Sequence, residues 1–158
     1  VTRAILVAMS PERVIGLHNT IPWHYRGDML RFKRLTTGAT IIMGRLTWES
    51  LPKKPLPNRR NVVITRAVLD GVDCFPSVEA ALATTTGDVW FIGGARIYEE
   101  AMKHADVLDV TYVPDRIDHP EAVKFPEIDA STWTVGPRIA HEDEPTLERQ
   151  EMRRATRA

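Results

Sequence analysis

Short, wholly apolar runs alternate with amphipathic stretches along most of this chain. Ala4-Ile5-Leu6-Val7-Ala8-Met9 opens the series, and a continuous apolar run of that length predicts a strand buried on both faces, in the middle of a covered sheet. Thr40 to Met43, Asn61 to Thr65, Val72 to Phe75, Val89 to Ile92 and Val107 to Val113 predict five more strands. Helical spacing fills the gaps. Asp28, Phe32 and Leu35 fall at i, i+4 and i+7, with Met29 among the apolar members and Arg31, Lys33 and Arg34 on the other side; such a stripe faces a core. A short helix follows Gly44-Arg45 and is stopped by Pro52. Another begins at the serine cap Ser77 and runs to about Thr84, and a third carries Ile97, Tyr98, Ala101 and Met102 after Gly93-Gly94-Ala95-Arg96.

The last third changes character. Pro114 to Pro126 reads as a polar loop with three prolines. Trp133 to His141 and Leu147 to Ala155 read as an antiparallel hairpin joined by Glu142-Asp143-Glu144-Pro145. Arg149, Arg153, Arg154 and Arg157 are expected on a solvated strand face and a frayed end. Strands alternating with helices predict a three-layer α/β fold: a mainly parallel mixed sheet with flanking helices, finished by the C-terminal hairpin. With no internal repeat, low-complexity tract or linker, one domain is expected over residues 1–158. Ser10 to Trp23, with Pro11, Gly16, Asn19 and Pro22, is a long connection for a compact domain. It is either a lid or an ordinary packed Ω-loop.

Composition narrows the partners. A chain of 158 residues buries roughly two-thirds of its unfolded surface, enough to hold together without disulfides or a metal. Lys plus Arg balance Asp plus Glu at 21 each, so no net basic field gathers nucleic acid or an anionic membrane. Cys74 is the only cysteine, which excludes an intramolecular disulfide and suits a reducing compartment. No apolar run reaches the roughly 18 residues that span a bilayer, and the N-terminal stretch lacks the pattern of a secretion signal. A cytoplasmic monomer acting on small molecules is the expectation.

The chemistry-bearing residues are few. Asp28 stands on an apolar stripe, and a carboxylate turned toward apolar surroundings needs a partner; alternatively it merely caps its helix. Two strand-to-helix turns, Gly44-Arg45 and Gly93-Gly94, offer backbone N–H groups of the kind that receive phosphates, although neither is a nucleotide fingerprint or a P-loop. Arg45 and Arg66 each follow a strand and could fork onto a phosphate, or simply be surface arginines. The five histidines, 18, 24, 104, 119 and 141, show no local metal-ligand spacing, so no metal is expected. There is no G-x-S-x-G elbow, and Cys74 reads as a structural thiol. A lone carboxylate, phosphate-type turns and a long connection suit a redox cofactor that the protein binds and orients.

These residues resemble dihydrofolate reductases over nearly the whole chain. The resemblance rests on Val14-Ile15-Gly16, Ile21-Pro22-Trp23, Asp28 with Phe32-Lys33-Arg34 and Thr36, and Ile42-Met43-Gly44-Arg45 with Thr47-Trp48-Glu49-Ser50. It continues through Leu56-Pro57-x-Arg59, Asn61, Ile92-Gly93-Gly94-x-x-Ile97-Tyr98 and Phe125-Pro126. It implies reduction of 7,8-dihydrofolate to tetrahydrofolate by hydride transfer from NADPH, in the service of one-carbon metabolism. The implied catalytic set is Asp28, Ile21, Trp23 and Thr111. Asp28 would accept hydrogen bonds from the pterin's 2-amino group and N3–H, Thr111 would bridge the two, and the proton would arrive through water. Leu6, Val7, Met29, Phe32, Leu51, Leu56 and Ile92 would supply apolar walls, and Arg59 would pair with the substrate's glutamate carboxylate.

For the cofactor, the resemblance assigns the 2′-phosphate to Arg45, Thr65 and Arg66. It assigns the pyrophosphate to Thr47 and the turn Gly93-Gly94-Ala95-Arg96, whose first peptide bond is implied to be cis. Ala8, Ile15, Gly16 and Asn19 on the lid side, Gly44 and Leu46 at the first turn, and Ile92, Ile97 and Tyr98 near the second complete the implied NADPH site. Two departures from the family pattern stand out. The segment His24-Tyr25-Arg26-Gly27 replaces the usual proline before the acid and is similar to some plasmid-borne, trimethoprim-insensitive relatives, which implies weakened trimethoprim binding. The loop Asp115 to Lys124 lacks the Gly-Asp pair with which some members latch the lid. A pyrimidine reductase of riboflavin synthesis on the same fold, and a non-catalytic nucleotide-binding module, stay open as rival readings.

Overall fold

The computed structural model describes residues 1–155; Arg157, expected at a frayed end, lies outside them. The strands are β1 Arg3–Met9, β2 Val14–Gly16, β3 Thr40–Gly44, β4 Arg60–Ile64, β5 Asp73–Phe75, β6 Val89–Gly93, β7 Val107–Tyr112, β8 Val123–Lys124, β9 Trp133–Ala140 and β10 Glu148–Arg154. The helices are α1 Arg26–Thr36, α2 Arg45–Ser50, α3 Val78–Leu82 and α4 Ala95–Ala101. Eight strands form one sheet in the order β5-β4-β3-β6-β1-β7-β10-β9. The pairings of β10 with β7 and β9 are antiparallel and the others parallel. The mixed, mainly parallel sheet and its closing hairpin match the fold expected from the residues. Among the described residues, no helix is long and apolar enough to cross a membrane.

Side chains alternate across a sheet, and here the alternation makes two cores. Ile5, Val7, Ile42, Val62 and Phe91 point one way and pack with Val78, Leu82, Ile97 and Ala101 of α3 and α4. Ile41, Met43 and Val63 point the other way and pack with Trp48 of α2. Full burial of each of these larger side chains contributes roughly 1.5–3 kcal/mol. On β7, Leu108 and Val110 join the first core, so Asp109 and Thr111, which alternate with them, face the side occupied by α1.

Helix α1 departs from the expected amphipathic pattern. Met29 and Leu30 are about half exposed, whereas Arg31, expected on the solvent side, is only 3% exposed. The Asp28–Phe32–Leu35 stripe is half-buried, and Asp28 and Phe32 border a cleft rather than a closed core. Arg31 sinks because Asp109 and Glu142 receive its guanidinium; a buried charge is tolerated where it is paired and hydrogen-bonded.

The C-terminal arginines divide. Arg153 is exposed and pairs with Glu151, as a solvated face requires. Arg149 is nearly buried against Asp109 and Glu142. Arg154 lies over the Trp133 ring at 4.7 Å and donates to the Ala105 carbonyl. These two are therefore structural, contrary to the expectation.

The long connection after β1 also carries structure. β2 pairs antiparallel with β8, which lies in the stretch expected to be a polar loop. Leu17 and Thr20 exchange backbone hydrogen bonds of 2.9 and 3.0 Å across His18-Asn19. Both central residues have positive φ, 50° and 62°, the mirror-image turn that tight hairpins favour.

Candidate active site

A cleft of about 1100 Å³ runs over the ends of the central strands. At its inner end lies Asp28, in the first turn of α1, where the helix dipole favours a carboxylate. Asp28 does not cap this helix: the cap position is Tyr25, two residues before Gly27, and the Tyr25 side chain makes no capping bond. Instead Oδ1 accepts hydrogen bonds from Thr111 Oγ1 at 3.1 Å and from His141 Nε2 at 3.0 Å. Among the described residues, Oδ2 has no hydrogen-bond partner, and Asp28 lines the cleft.

His141 was not among the candidate residues, and the fold gives it a defined role. Its side chain is fully buried. The backbone N–H groups of Asp143 and Glu144 both donate to Nδ1, at 3.0 and 3.1 Å, so Nδ1 is the acceptor and the ring proton sits on Nε2, facing Asp28. This docking depends on Gly27. A Cβ there would stand 2.1 Å from the Asp143 carbonyl oxygen, and the Gly27 N–H donates to Glu144 Oε2 at 2.9 Å. The glycine that departs from the family pattern thus lets the β9–β10 turn close over the start of α1 and bring His141 onto Asp28.

Next to Asp28 lies an ionic cluster, buried at Arg31 and Asp109 and open to solvent at Arg34 and Glu142. Arg31 makes a two-pronged pair with Asp109 at 2.7 and 3.0 Å and donates through Nε to Glu142 at 2.5 Å. Arg149 and Arg34 also reach Glu142, each at 3.2 Å. Partial burial pushes the Glu142 carboxyl up, but backbone hydrogen bonding and its bonds and charge contacts with Arg31 and Arg149 outweigh it and hold the group at about 2 instead of 4.5. A depressed carboxyl stabilises the fold above its unfolded pKa, and that stability is lost as the pH falls. Stability should therefore decline as pH drops from 4.5 toward 2. Acid titration of unfolding free energy should show this limb flattened in Glu142→Gln, with the variant less stable at neutral pH. An unchanged limb would mean the arginines do not hold this carboxyl.

The other end of the cleft is charged, with Arg45, Arg66 and Arg96 beside Glu79, Glu99 and Glu100. Gly44 and Gly94 precede α2 and α4, and a Cβ on Gly44 would lie 3.3 Å from Ile97 and 3.8 Å from the Gly94 nitrogen. The two strand-to-helix turns therefore meet, and bulk at Gly44 would fill the space between them. The Gly93–Gly94 peptide is cis, and Gly93 has φ +118°, a conformation open to glycine. Arg45, Thr65, Arg66 and Arg96 line this end; Arg45 pairs with Glu49 at 2.9 Å. Tyr98 is buried, donates to the Leu6 carbonyl at 2.9 Å, and burial pushes its phenol up.

The cleft wall brings together most of the residues singled out from the sequence. On the inner side these are Leu6, Val7, Asp28, Phe32, Ile92 and Thr111. On the outer side they are Ala8, Gly44, Leu46, Thr47, Ala95 and Ile97, with Ile15, Gly16, Asn19 and Ile21 from the loop after β1. Trp23, Met29, Leu51, Leu56 and Arg59 stand outside this wall. Leu51 and Leu56 pack against the Trp48 cluster, and Arg59 donates to Thr36 Oγ1 at 2.9 Å and to the Pro57 carbonyl.

Residues 3–156 match the family model described as dihydrofolate reductase. The chain belongs to that family. It is 42% identical over 139 residues to the dihydrofolate reductase of Neisseria gonorrhoeae, spanning 85% of each chain. It is 37% identical over 143 residues to the type 3 dihydrofolate reductase of Salmonella typhimurium, spanning 87% of this chain and 86% of that one. Its fold is similar to a solved dihydrofolate reductase from Enterococcus faecalis complexed with NADP(H) and RAB-propyl, with a TM-score of 0.82 and 30% identity over 98% of this chain and 97% of that one. The pyrimidine reductase and non-catalytic readings are thereby set aside.

Proposed function

We propose that this dihydrofolate reductase family member reduces 7,8-dihydrofolate to 5,6,7,8-tetrahydrofolate with NADPH, and that Asp28 is the group that reads the pterin. The observation that carries the reading is the asymmetry of that carboxylate. Thr111 and His141 hold Oδ1, while Oδ2 is left toward the cleft, where it can accept from the pterin's N3–H and 2-amino group. Negative charge at that edge raises the affinity of the distal imine nitrogen for a proton, and a protonated imine is the better hydride acceptor. The proton arrives through water, and Leu6, Phe32 and Ile92 shield the ring.

The cofactor end fits a dinucleotide phosphate. The turns before α2 and α4 meet with glycines where side chains would intrude, and Arg45, Arg66 and Arg96 supply positive charge. Arg45, Thr65 and Arg66 would hold the 2′-phosphate, and Thr47 with Gly93 to Arg96 the pyrophosphate. Bound NADPH supplies the hydride. The loop from Ile15 to Trp23 acts as the lid that excludes water. A monomer of one domain, with small molecules as partners, completes the reading. Residence in the cytoplasm belongs to the same reading.

The test is consumption of reduced nicotinamide with dihydrofolate as acceptor. Turnover that depends on both compounds is expected; tight NADPH binding with no reduction of dihydrofolate would refute the reading. Arg45→Glu or Arg66→Glu should abolish the preference for NADPH over NADH in kcat/KM. An unchanged ratio would place the 2′-phosphate elsewhere.

A further inference from the structure

Outside the cleft, the fold gathers three side chains from two loops. His18 sits in the tight turn after β2, and His119 and Glu121 lie just before β8. One ligand atom from each falls within 4.8 Å of the other two. His18 Nδ1 stands 3.2 Å from Glu121 Oε2, and the two imidazoles meet edge to face, with centroids 5.2 Å apart and planes at 79°. We propose that His18, His119 and Glu121 form a site for a divalent transition metal of the zinc class, and that the metal ties the tip of the lid to the loop before β8.

Bonds of about 2.0–2.1 Å from zinc to nitrogen and oxygen place neighbouring tetrahedral ligands about 3.3 Å apart. The His18–Glu121 separation already has that length, and rotation of the exposed His119 side chain closes the rest. Two imidazoles and one carboxylate suit zinc, cobalt, nickel or copper, whereas magnesium and calcium select oxygen shells. The three side chains are exposed, so water can complete the coordination.

The backbone fixes the His18 turn and joins the two loops in advance. His18 is held by the reciprocal Leu17–Thr20 hydrogen bonds, and its loop is joined to the other by Val14↔Lys124 and Gly16↔Val123. The Glu121 N–H donates to His119 Nδ1 at 3.0 Å. Capture of a metal by Nε2 moves the ring proton to Nδ1 and releases that bond, a local exchange at an exposed turn.

Ile15, Gly16, Asn19 and Ile21 of the same loop line the cleft. A metal fixing His18 would therefore restrain the part of the lid that borders bound ligands. This consequence, unlike the binding itself, rests on the reading of that loop as the lid.

The test begins with zinc titrated into the chelator-treated full chain, in competition with a chromophoric indicator. One equivalent should bind, and His18→Gln, His119→Gln and Glu121→Gln should each weaken it more than about tenfold, since even outer partners of metal ligands cost 10–100-fold. Undiminished affinity in all three variants, or only diffuse weak binding, would overturn the site. Amide hydrogen exchange over residues 14–20 should slow with zinc in the unsubstituted protein and not in His119→Gln. Bound zinc with unaltered exchange would overturn the tie. Neither readout needs turnover, so failure here and failure of the reduction assay are separate results.

Discussion

Asp28→Asn is expected to lower kcat for dihydrofolate about 10²–10⁴-fold near neutral pH, the usual worth of a well-placed group in proton transfer. The substitution keeps the shape, and the amide oxygen can still accept from Thr111 and His141, which address Oδ1. The amide nitrogen then takes the place of Oδ2. A donor meets the pterin's N3–H donor, and the charge that draws a proton to the ring is gone. NADPH binding at the far end of the cleft should barely change. At low pH, where dihydrofolate protonates in solution, part of the lost rate should return. A kcat profile against pH for both proteins checks this; undiminished turnover in the variant would remove Asp28 from the reaction.

The largest loss of stability is expected from Arg31→Met. Methionine matches the apolar stem of arginine but leaves Asp109, which is only 7% exposed, with Arg149 at 3.3 Å as its remaining cation. Removing one partner of a buried ion pair costs about 3–5 kcal/mol, because the other charge stays behind uncompensated. At roughly 2–4 °C per kcal/mol for a chain of this size, Tm should fall about 6–20 °C. Urea unfolding of the variant measures the free energy directly. A loss below about 1 kcal/mol, the range of exposed pairs, would mean that Arg149 alone neutralises Asp109.

The sheet was legible because its central strands are long apolar runs, and the turns at Gly44 and Gly93-Gly94 were legible because glycine before a helix has few other uses. β2 and β8, three and two residues long, are too short to show any periodicity. Arg31 was misplaced for a different reason: a helical wheel assigns charge to solvent, and only partners 78 and 111 residues away reverse that. His141 escaped notice because it precedes an ordinary acidic turn, and its bond to Asp28 spans 113 residues. One signal was present, however: Gly27 beside the acid offers no side chain, and a missing side chain next to a candidate carboxylate invites another segment to pack there. His18 and His119 stand 101 residues apart in the sequence, too far for any local ligand spacing, and meet through the β2–β8 pairing.

Everything proposed for the reaction depends on where the pteridine lies, and a crystal structure of the chain with folate and oxidised NADP bound together shows that directly. Asp28 Oδ2 is expected within about 2.7–3.2 Å of the ring's N3 and 2-amino nitrogens, with Oδ1 still held by Thr111 and His141. A ring bound elsewhere, with Asp28 turned to bulk water, would contradict it.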